Sequence, residues 1–194
     1  MACIEAIREH DPDTPITLIA REPHHTYSRP LITYLLGGLV DEERMYYRPR
    51  DYYEQAGVRA ILGTEAVRVH PRAGCVETAI GDRVHFDNLL IATGGRPIVP
   101  PDVGGVELEG VFTFTTLDDA RRISNHINAH AVRSALVVGG GLIGLKSVEA
   151  LLELGLQVTV VELADRMLSA TFDHTASELL QRRLSANGVQ VLCN

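Results

Sequence analysis

The sequence has no apolar stretch of membrane-spanning length. Its longest apolar-plus-glycine run, residues 135–145, covers 11 of 194 positions, whereas a transmembrane helix needs roughly 20. Cysteine is scarce: Cys3, Cys75 and Cys193 form no C-x-x-C or C-x-x-x-x-C pair, so neither a redox dithiol nor a structural zinc site can be read from them. Their odd number fits reduced thiols in a cytoplasmic setting. Basic charge is in deficit, with 18 Lys and Arg against 25 Asp and Glu for a formal charge of -7. The arginines are scattered, with no basic stripe to offset the repulsion of a nucleic-acid backbone. There is no G-x-S-x-G element for a serine nucleophile and no H-E-x-x-H zinc motif. The eight histidines show no close ligand cluster, and the adjacent pair His24-His25 reads as an exposed polar loop. Low-complexity tracts and short-period repeats are absent.

What is present is the composition of one or two globular domains: 45% hydrophobic residues, 22% charged residues and 17 Gly. The chain opens inside an amphipathic helix, with Ile4 and Ile7 one turn apart, and closes on a strand-like run at residues 189–193. Both ends read as though the sequence is a piece of a longer polypeptide.

Between them, the turn D-P-D-T-P precedes a β-rich run, I-T-L-I-A, at residues 16–20. All six tyrosines fall between Tyr27 and Tyr53, where they either pack a loop-and-helix layer or meet a ligand. From residue 58 to residue 95 four short strands are expected: V-R-A-I-L, A-V-R-V, C-V-E-T-A and a last one running through V-H-F-D-N-L-L-I-A-T-G. The first three read as a small antiparallel meander and the fourth ends in a buried run at residues 89–92. After the proline-rich connector 97–101, Thr116 and Asp119 form a capping-box signature for a helix to about His130.

The last third alternates most clearly. A buried strand is expected at 134–138, a helix at 142–154 with Leu142, Leu145, Val148, Leu151 and Leu152 on its apolar face, and Gly155 as its stop. A second strand follows at 157–162. A helix with Ala176, Leu179, Leu180 and Leu184 on one stripe ends at Asn187-Gly188, before a third strand. This β-α-β-α-β order makes a parallel sheet through right-handed crossovers.

Residues 139–144, G-G-G-L-I-G, satisfy G-x-G-x-x-G directly between that first strand and the helix, the context in which the motif carries meaning. Gly139 allows the tight turn, Gly141 lets a diphosphate approach the backbone, and Gly144 lets the helix pack closely on the sheet. Leu142 and Ile143 then begin the helix, whose unpaired N–H groups and dipole favour an anion. Glu162 ends the next strand, eighteen residues beyond Gly144, where a carboxylate accepts both ribose hydroxyls. A carboxylate repels the 2'-phosphate of NADP, so NADH is favoured; Arg166 softens that preference only if it is not simply a solvated arginine.

Five motifs in order, H-T-Y-S-R-P-L-I-T-Y-L-L-G-G, M-Y-Y-R-P-R, L-L-I-A-T-G-G-R-P, F-T-F-T-T-L-D-D-A and V-V-G-G-G-L-I-G-L-K, span nearly the whole sequence. The chain thereby resembles the FAD- and NAD(P)H-dependent pyridine nucleotide-disulphide oxidoreductases, in the branch of nitrite reductase large subunits and rubredoxin reductases. The resemblance implies an α/β fold of two incomplete Rossmann-like domains with a small antiparallel meander. Residues 1–112 would be part of an FAD-binding domain whose first strand and glycine loop lie before Met1, and residues 113–194 part of an NAD(P)-binding domain. It further implies FAD contacts from Glu22, Arg29, Val67 and the A-T-G turn Ala92, Thr93 and Gly94.

Two departures stand out. Where relatives with a redox-active cysteine place it, this chain has Pro30, so electrons would leave the flavin directly for an external acceptor. Lys146 stands where most relatives carry Glu, with Glu149 one turn on. The expected activity is hydride transfer from NADH to flavin N5, with no side-chain acid or base required. The electrons would go to an acceptor such as rubredoxin or an iron-sulphur or haem module, and the resemblance allows for a homodimer in the full-length protein. The alternative is a non-catalytic NADH-binding module that senses redox state.

Overall fold

Short β-branched runs bounded by Gly, Pro and Asp turns set the strand positions, and capped 3.6-residue apolar stripes set the helices. The computed structural model describes residues 1–194. In chain order its elements are α1 (Ala2–His10), β1 (Ile16–Ala20), α2 (Ile32–Leu36), α3 (Tyr52–Gln55), β2 (Val58–Leu62), β3 (Ala66–His70), β4 (Cys75–Thr78), β5 (Arg83–His85), α4 (Leu117–His130), β6 (Ser134–Val138), α5 (Leu142–Glu153), β7 (Gln157–Glu162), α6 (His174–Ala186) and β8 (Gln190–Cys193). They divide into two compact units, one of residues 1–27 and 46–95, the other of residues 28–45 and 96–194. No helix is long and apolar enough to cross a membrane.

In the first unit β1 and β2 pair in parallel, Ile16 opposite Val58 through Ala20 opposite Leu62. α1 buries Ile4, and Arg8 near its end donates to the carbonyls of Ala56 at 2.7 Å and Thr14 at 2.9 Å. This ties the helix to the chain entering β2. The antiparallel meander is β3-β4-β5, which corrects the expectation that V-R-A-I-L would be its first strand. The physical reason is that β2 finds a parallel partner in β1, so the meander takes its third strand from Arg83–His85.

The run at 89–92 also departs from expectation. It forms no strand, and Leu90 and Ile91 are 64% and 66% exposed. None of the three sheets extends to it. Its apolar residues carry a burial signal that pairing does not satisfy in this chain.

His24 and His25 are half-buried rather than loop-exposed. The His25 ring lies 4.3 Å from that of Tyr53 and 6.3 Å from that of Tyr46, and the Arg50 guanidinium caps Tyr46 at 4.3 Å. Much of the tyrosine-rich segment is therefore engaged in packing with its own neighbours.

The second unit is built on the parallel sheet β6-β7-β8, with the β-α-β-α-β order expected from the sequence. Val137, Val148, Leu151, Leu156, Val158, Val160, Met167, Leu184 and Val189 form its core. Of the expected helix stripes, Leu142 and Leu179 face away from it, each 60% exposed. On α6 the inward position goes instead to Ser177, whose hydroxyl is buried and donates to the Met167 carbonyl at 2.7 Å, so a polar side chain is satisfied in place of an apolar one.

α4 begins as its sequence dictates. The Thr116 hydroxyl accepts from the Asp119 amide at 3.1 Å while the Asp119 carboxylate accepts from the Thr116 amide at 3.0 Å. The same carboxylate accepts from the Thr115 amide at 2.9 Å and from Arg122 at 2.5 Å. Burial pushes the Asp119 carboxyl up, but these donors outweigh it and hold the group below the usual aspartate range.

Asp119→Ala removes the reciprocal cap and takes the carboxylate acceptor from the Thr115 and Thr116 amides, and it should cost about 2 kcal/mol in urea denaturation at pH 7. Because the folded-state value is depressed, Asp119 contributes its stability above the unfolded value of about 3.9 and loses it as pH falls through the lower folded value. The gap between native protein and variant should therefore hold from pH 7 to about 5 and shrink below about 4. A gap that does not shrink on acidification would place the effect elsewhere.

Candidate dinucleotide site

The turn from β6 into α5 rests on what glycine lacks. Gly139 adopts φ +104, a conformation that side-chain-bearing residues rarely enter, and its amide donates to the Val161 carbonyl at 2.8 Å, holding the turn to the end of β7. At Gly144, inside the first turn of α5, a Cβ would overlap the Gly139 carbonyl oxygen. The helix therefore leaves the sheet at a distance only glycine permits. Gly141 is the N-cap of α5 with φ -80, no side chain caps the helix, and a Cβ there would meet nothing within 4 Å. Its surroundings are open, and Leu142 and Ile143 beside it are 60% and 59% exposed.

Glu162, the last residue of β7, points back into this loop. One carboxylate oxygen accepts from the Gly140 amide at 2.5 Å and the other from the Ala164 amide at 2.7 Å. An ionised carboxylate offers about four lone-pair positions, so two remain for further donors such as a ribose diol. Gly140 itself is a site residue that the sequence reading left out. Its amide anchors Glu162, its carbonyl accepts from the Leu168 amide at 2.9 Å, and a Cβ there would meet the Met167 sulfur at 2.5 Å. The signal is the unbroken triplet Gly139-Gly140-Gly141, since within it the motif asks for glycine only at the first and third positions.

Beside the loop, Arg166 is not the solvated arginine expected. Its guanidinium pairs with Asp165 at 2.7 Å and donates to the Ser169 carbonyl at 3.3 Å, with the side chain 23% exposed. Lys146 pairs with Glu149 at 2.5 Å and lies 5.4 Å from the centre of the Tyr34 ring. The Glu149 carboxylate holds the Lys146 ammonium more firmly protonated than an ordinary lysine.

The residues expected to meet FAD are divided between the two units. Glu22 follows β1 and its carboxylate accepts from the Tyr27 hydroxyl at 2.5 Å. Val67 lies on β3, in a different sheet, 54% exposed. Ala92, Thr93 and Gly94 are exposed in an irregular segment, with Gly94 at φ +67. Arg29, in the second unit, donates to the Thr115 carbonyl at 2.7 Å. The glycine loop, with its open N-cap and available carboxylate positions, suits a dinucleotide diphosphate and ribose.

A family model described as pyridine nucleotide-disulphide oxidoreductase matches residues 1–194. The chain belongs to that family. Among its relatives, the NADH-dependent phenylglyoxylate dehydrogenase subunit epsilon of Aromatoleum evansii is 30% identical over 192 residues, 99% of this chain and 45% of the relative. The nitrite reductase [NAD(P)H] large subunit of Klebsiella oxytoca is 34% identical over 176 residues, 91% of this chain and 18% of the relative. A ferredoxin reductase from Rhodopseudomonas palustris has a similar structure, with a TM-score of 0.89 and 25% identity, over 98% of this chain and 46% of that one. This member of the family thus spans less than half the length of each of these relatives. The comparisons agree with the mixed α/β architecture and its parallel sheets.

The loop geometry separates two glycines that the motif treats alike. Gly144→Ala should force α5 from the sheet and lower the melting temperature by several degrees, as a loss of ~2 kcal/mol would in a domain of this size. Gly141→Ala enters open space at an ordinary φ and should leave stability within ~0.5 kcal/mol. Thermal melts of the two variants check this, and equal losses would contradict the geometry.

Proposed function

We propose that this chain supplies the NADH-docking part of an FAD-dependent oxidoreductase, with residues 113–194 holding the nicotinamide dinucleotide and residues 1–112 contributing to the flavin domain. The observation that carries the reading is Glu162: its carboxylate is fixed on the Gly140 amide at the mouth of the glycine loop and keeps acceptor positions for the adenosine ribose. NADH is the favoured nucleotide because the same carboxylate repels a 2'-phosphate, while Arg166, tied to Asp165 and Ser169, is not poised to welcome one.

In this reading the chain's residues bind and orient. Gly139, Gly141 and Gly144 bring backbone and the start of α5 up to the diphosphate, Leu142 and Ile143 begin the helix whose N-terminus faces it, and Glu162 clasps the ribose. Glu22, Arg29, Val67, Ala92, Thr93 and Gly94 are the proposed flavin contacts, carried over by resemblance, and they need the remainder of a flavin domain to become a site. When bound, NADH supplies a hydride and FAD accepts it at N5, passing electrons on to an external acceptor. Alignment is what the protein adds. A thiol relay is not part of the proposal: Pro30 occupies the position where relatives carry a redox cysteine, and Cys75 is buried on β4 while Cys193 lies on β8. The acceptor proposed is a small redox protein or an iron-sulphur or haem module, in line with the names of the ferredoxin reductase and nitrite reductase relatives.

Calorimetric titration with NADH tests the site directly. Gly141→Ala should weaken NADH at least tenfold while its melting temperature stays that of the native protein. Glu162→Arg should shift the ratio of NADH to NADPH dissociation constants toward NADPH by roughly an order of magnitude, the size of about one charge contact. An unchanged ratio would remove Glu162 from the ribose.

A further inference from the structure

The second unit carries a group of ligand-type side chains outside the glycine loop. His126 and His130 lie four residues apart on α4, a spacing that stacks side chains on one helix face. Their rings are stacked, with centroids 4.2 Å apart and planes inclined by 29°. Glu109 reaches the same place from the segment before the helix, its carboxylate 3.4 Å from His130 Nε2. One ligand atom from each of the three, two imidazole nitrogens and a carboxylate oxygen, fall within 4.8 Å of one another. The structure thus brings together histidines for which the sequence suggests no close ligand cluster. The H-x-x-x-H spacing of residues 126–130 was the signal, and Glu109 is added only by the fold.

The geometry points to a zinc-class divalent cation site formed by Glu109, His126 and His130. Two imidazoles and one carboxylate are the ligand types Zn²⁺ prefers, at bonds of about 2.0–2.2 Å with a fourth position left for water. Oxygen-seeking Mg²⁺ and Ca²⁺ do not favour such a set. His130 is oriented for the role. Its Nδ1 lies 3.1 Å from the His126 carbonyl, an acceptor that suits a protonated Nδ1; in that tautomer Nε2, on the side of Glu109, is the nitrogen left to bind a cation. The His126 ring is braced by Phe112 at 5.3 Å, and Gly110 leaves room for it, since a Cβ there would stand 3.2 Å from His126 Nε2. The Glu109 and His130 side chains are 78% and 51% exposed, so closing the ligand atoms from 4.8 Å onto a cation requires only rotamer adjustment. A bound cation would fasten residues 109–112 to the last turns of α4.

Calorimetric titration of the protein with ZnCl₂ in a non-chelating buffer should show one equivalent bound with a dissociation constant in the micromolar range, not displaced by millimolar Mg²⁺. His126→Ala and His130→Asn should each weaken binding at least tenfold, and Glu109→Gln should weaken it measurably. His70→Gln, in the other unit, should leave it unchanged. His130 and Glu109 are surface side chains, so their variants report on the site even if His126→Ala folds poorly. Zinc binding that is absent, or that survives His130→Asn and Glu109→Gln at full strength, would overturn the proposal. None of these outcomes depends on dinucleotide binding.

Discussion

The second unit depends on one steric permission, the close approach of helix α5 to the carbonyl of Gly139. Only a residue without a Cβ fits at position 144, and only because it fits can the helix begin so close to the end of β6. From that approach follow the open N-cap at Gly141, the position of the Gly140 amide, and the tie from that amide to Glu162 at the end of β7. Because Val137, Val148 and Leu151 belong to one core with the β7 residues Val158 and Val160, the loop that presents backbone to solvent is also the corner on which strand and helix turn into that core. A side chain at position 144 would disturb packing and presentation together, whereas one at position 141 would disturb presentation alone.

Much of this was legible in the sequence, and the reason is local. Strands β6 and β7 and the capping box of α4 each announce themselves within a few residues: β-branched runs bounded by polar or glycine residues, and Thr116 three positions before Asp119. The glycine loop was legible because its meaning depends on order along the chain, strand then G-x-G-x-x-G then helix, which the sequence displays directly. What could not be read was partner choice. V-R-A-I-L is an equally good strand in a meander or beside β1, and only the three-dimensional arrangement gives Ile16 to Val58 and Ala20 to Leu62. The run at 89–92 has the apolar content of a buried strand, but burial also requires pairing, and none of the three sheets takes it up. Leu179 failed for the opposite reason: the helix turned Ser177 inward because the Met167 carbonyl was there to accept its hydroxyl.

At the candidate site the sequence identified the residues that shape the backbone and missed those that brace it. Gly140 and Met167 escaped because their constraint is reciprocal: the second glycine is small because a buried methionine after β7 fills the space beside it. Leu168, at φ +53, donates to Gly140 from the same segment. The stretch after β7 thus acts as a clamp on the loop. The flavin residues stand differently. Glu22, Arg29, Val67 and the turn at 92–94 are expected from resemblance alone, and of these Val67 and the turn are exposed in this chain.

Resolved amide signals in a ¹⁵N-¹H correlation spectrum test the central claim most directly, as NADH is added to the protein. The account predicts progressive shifts confined to residues 139–145 and 162–168, with the meander residues 66–85 unmoved. Shifts that avoid the glycine loop and appear elsewhere, or no shifts at millimolar NADH, would contradict it.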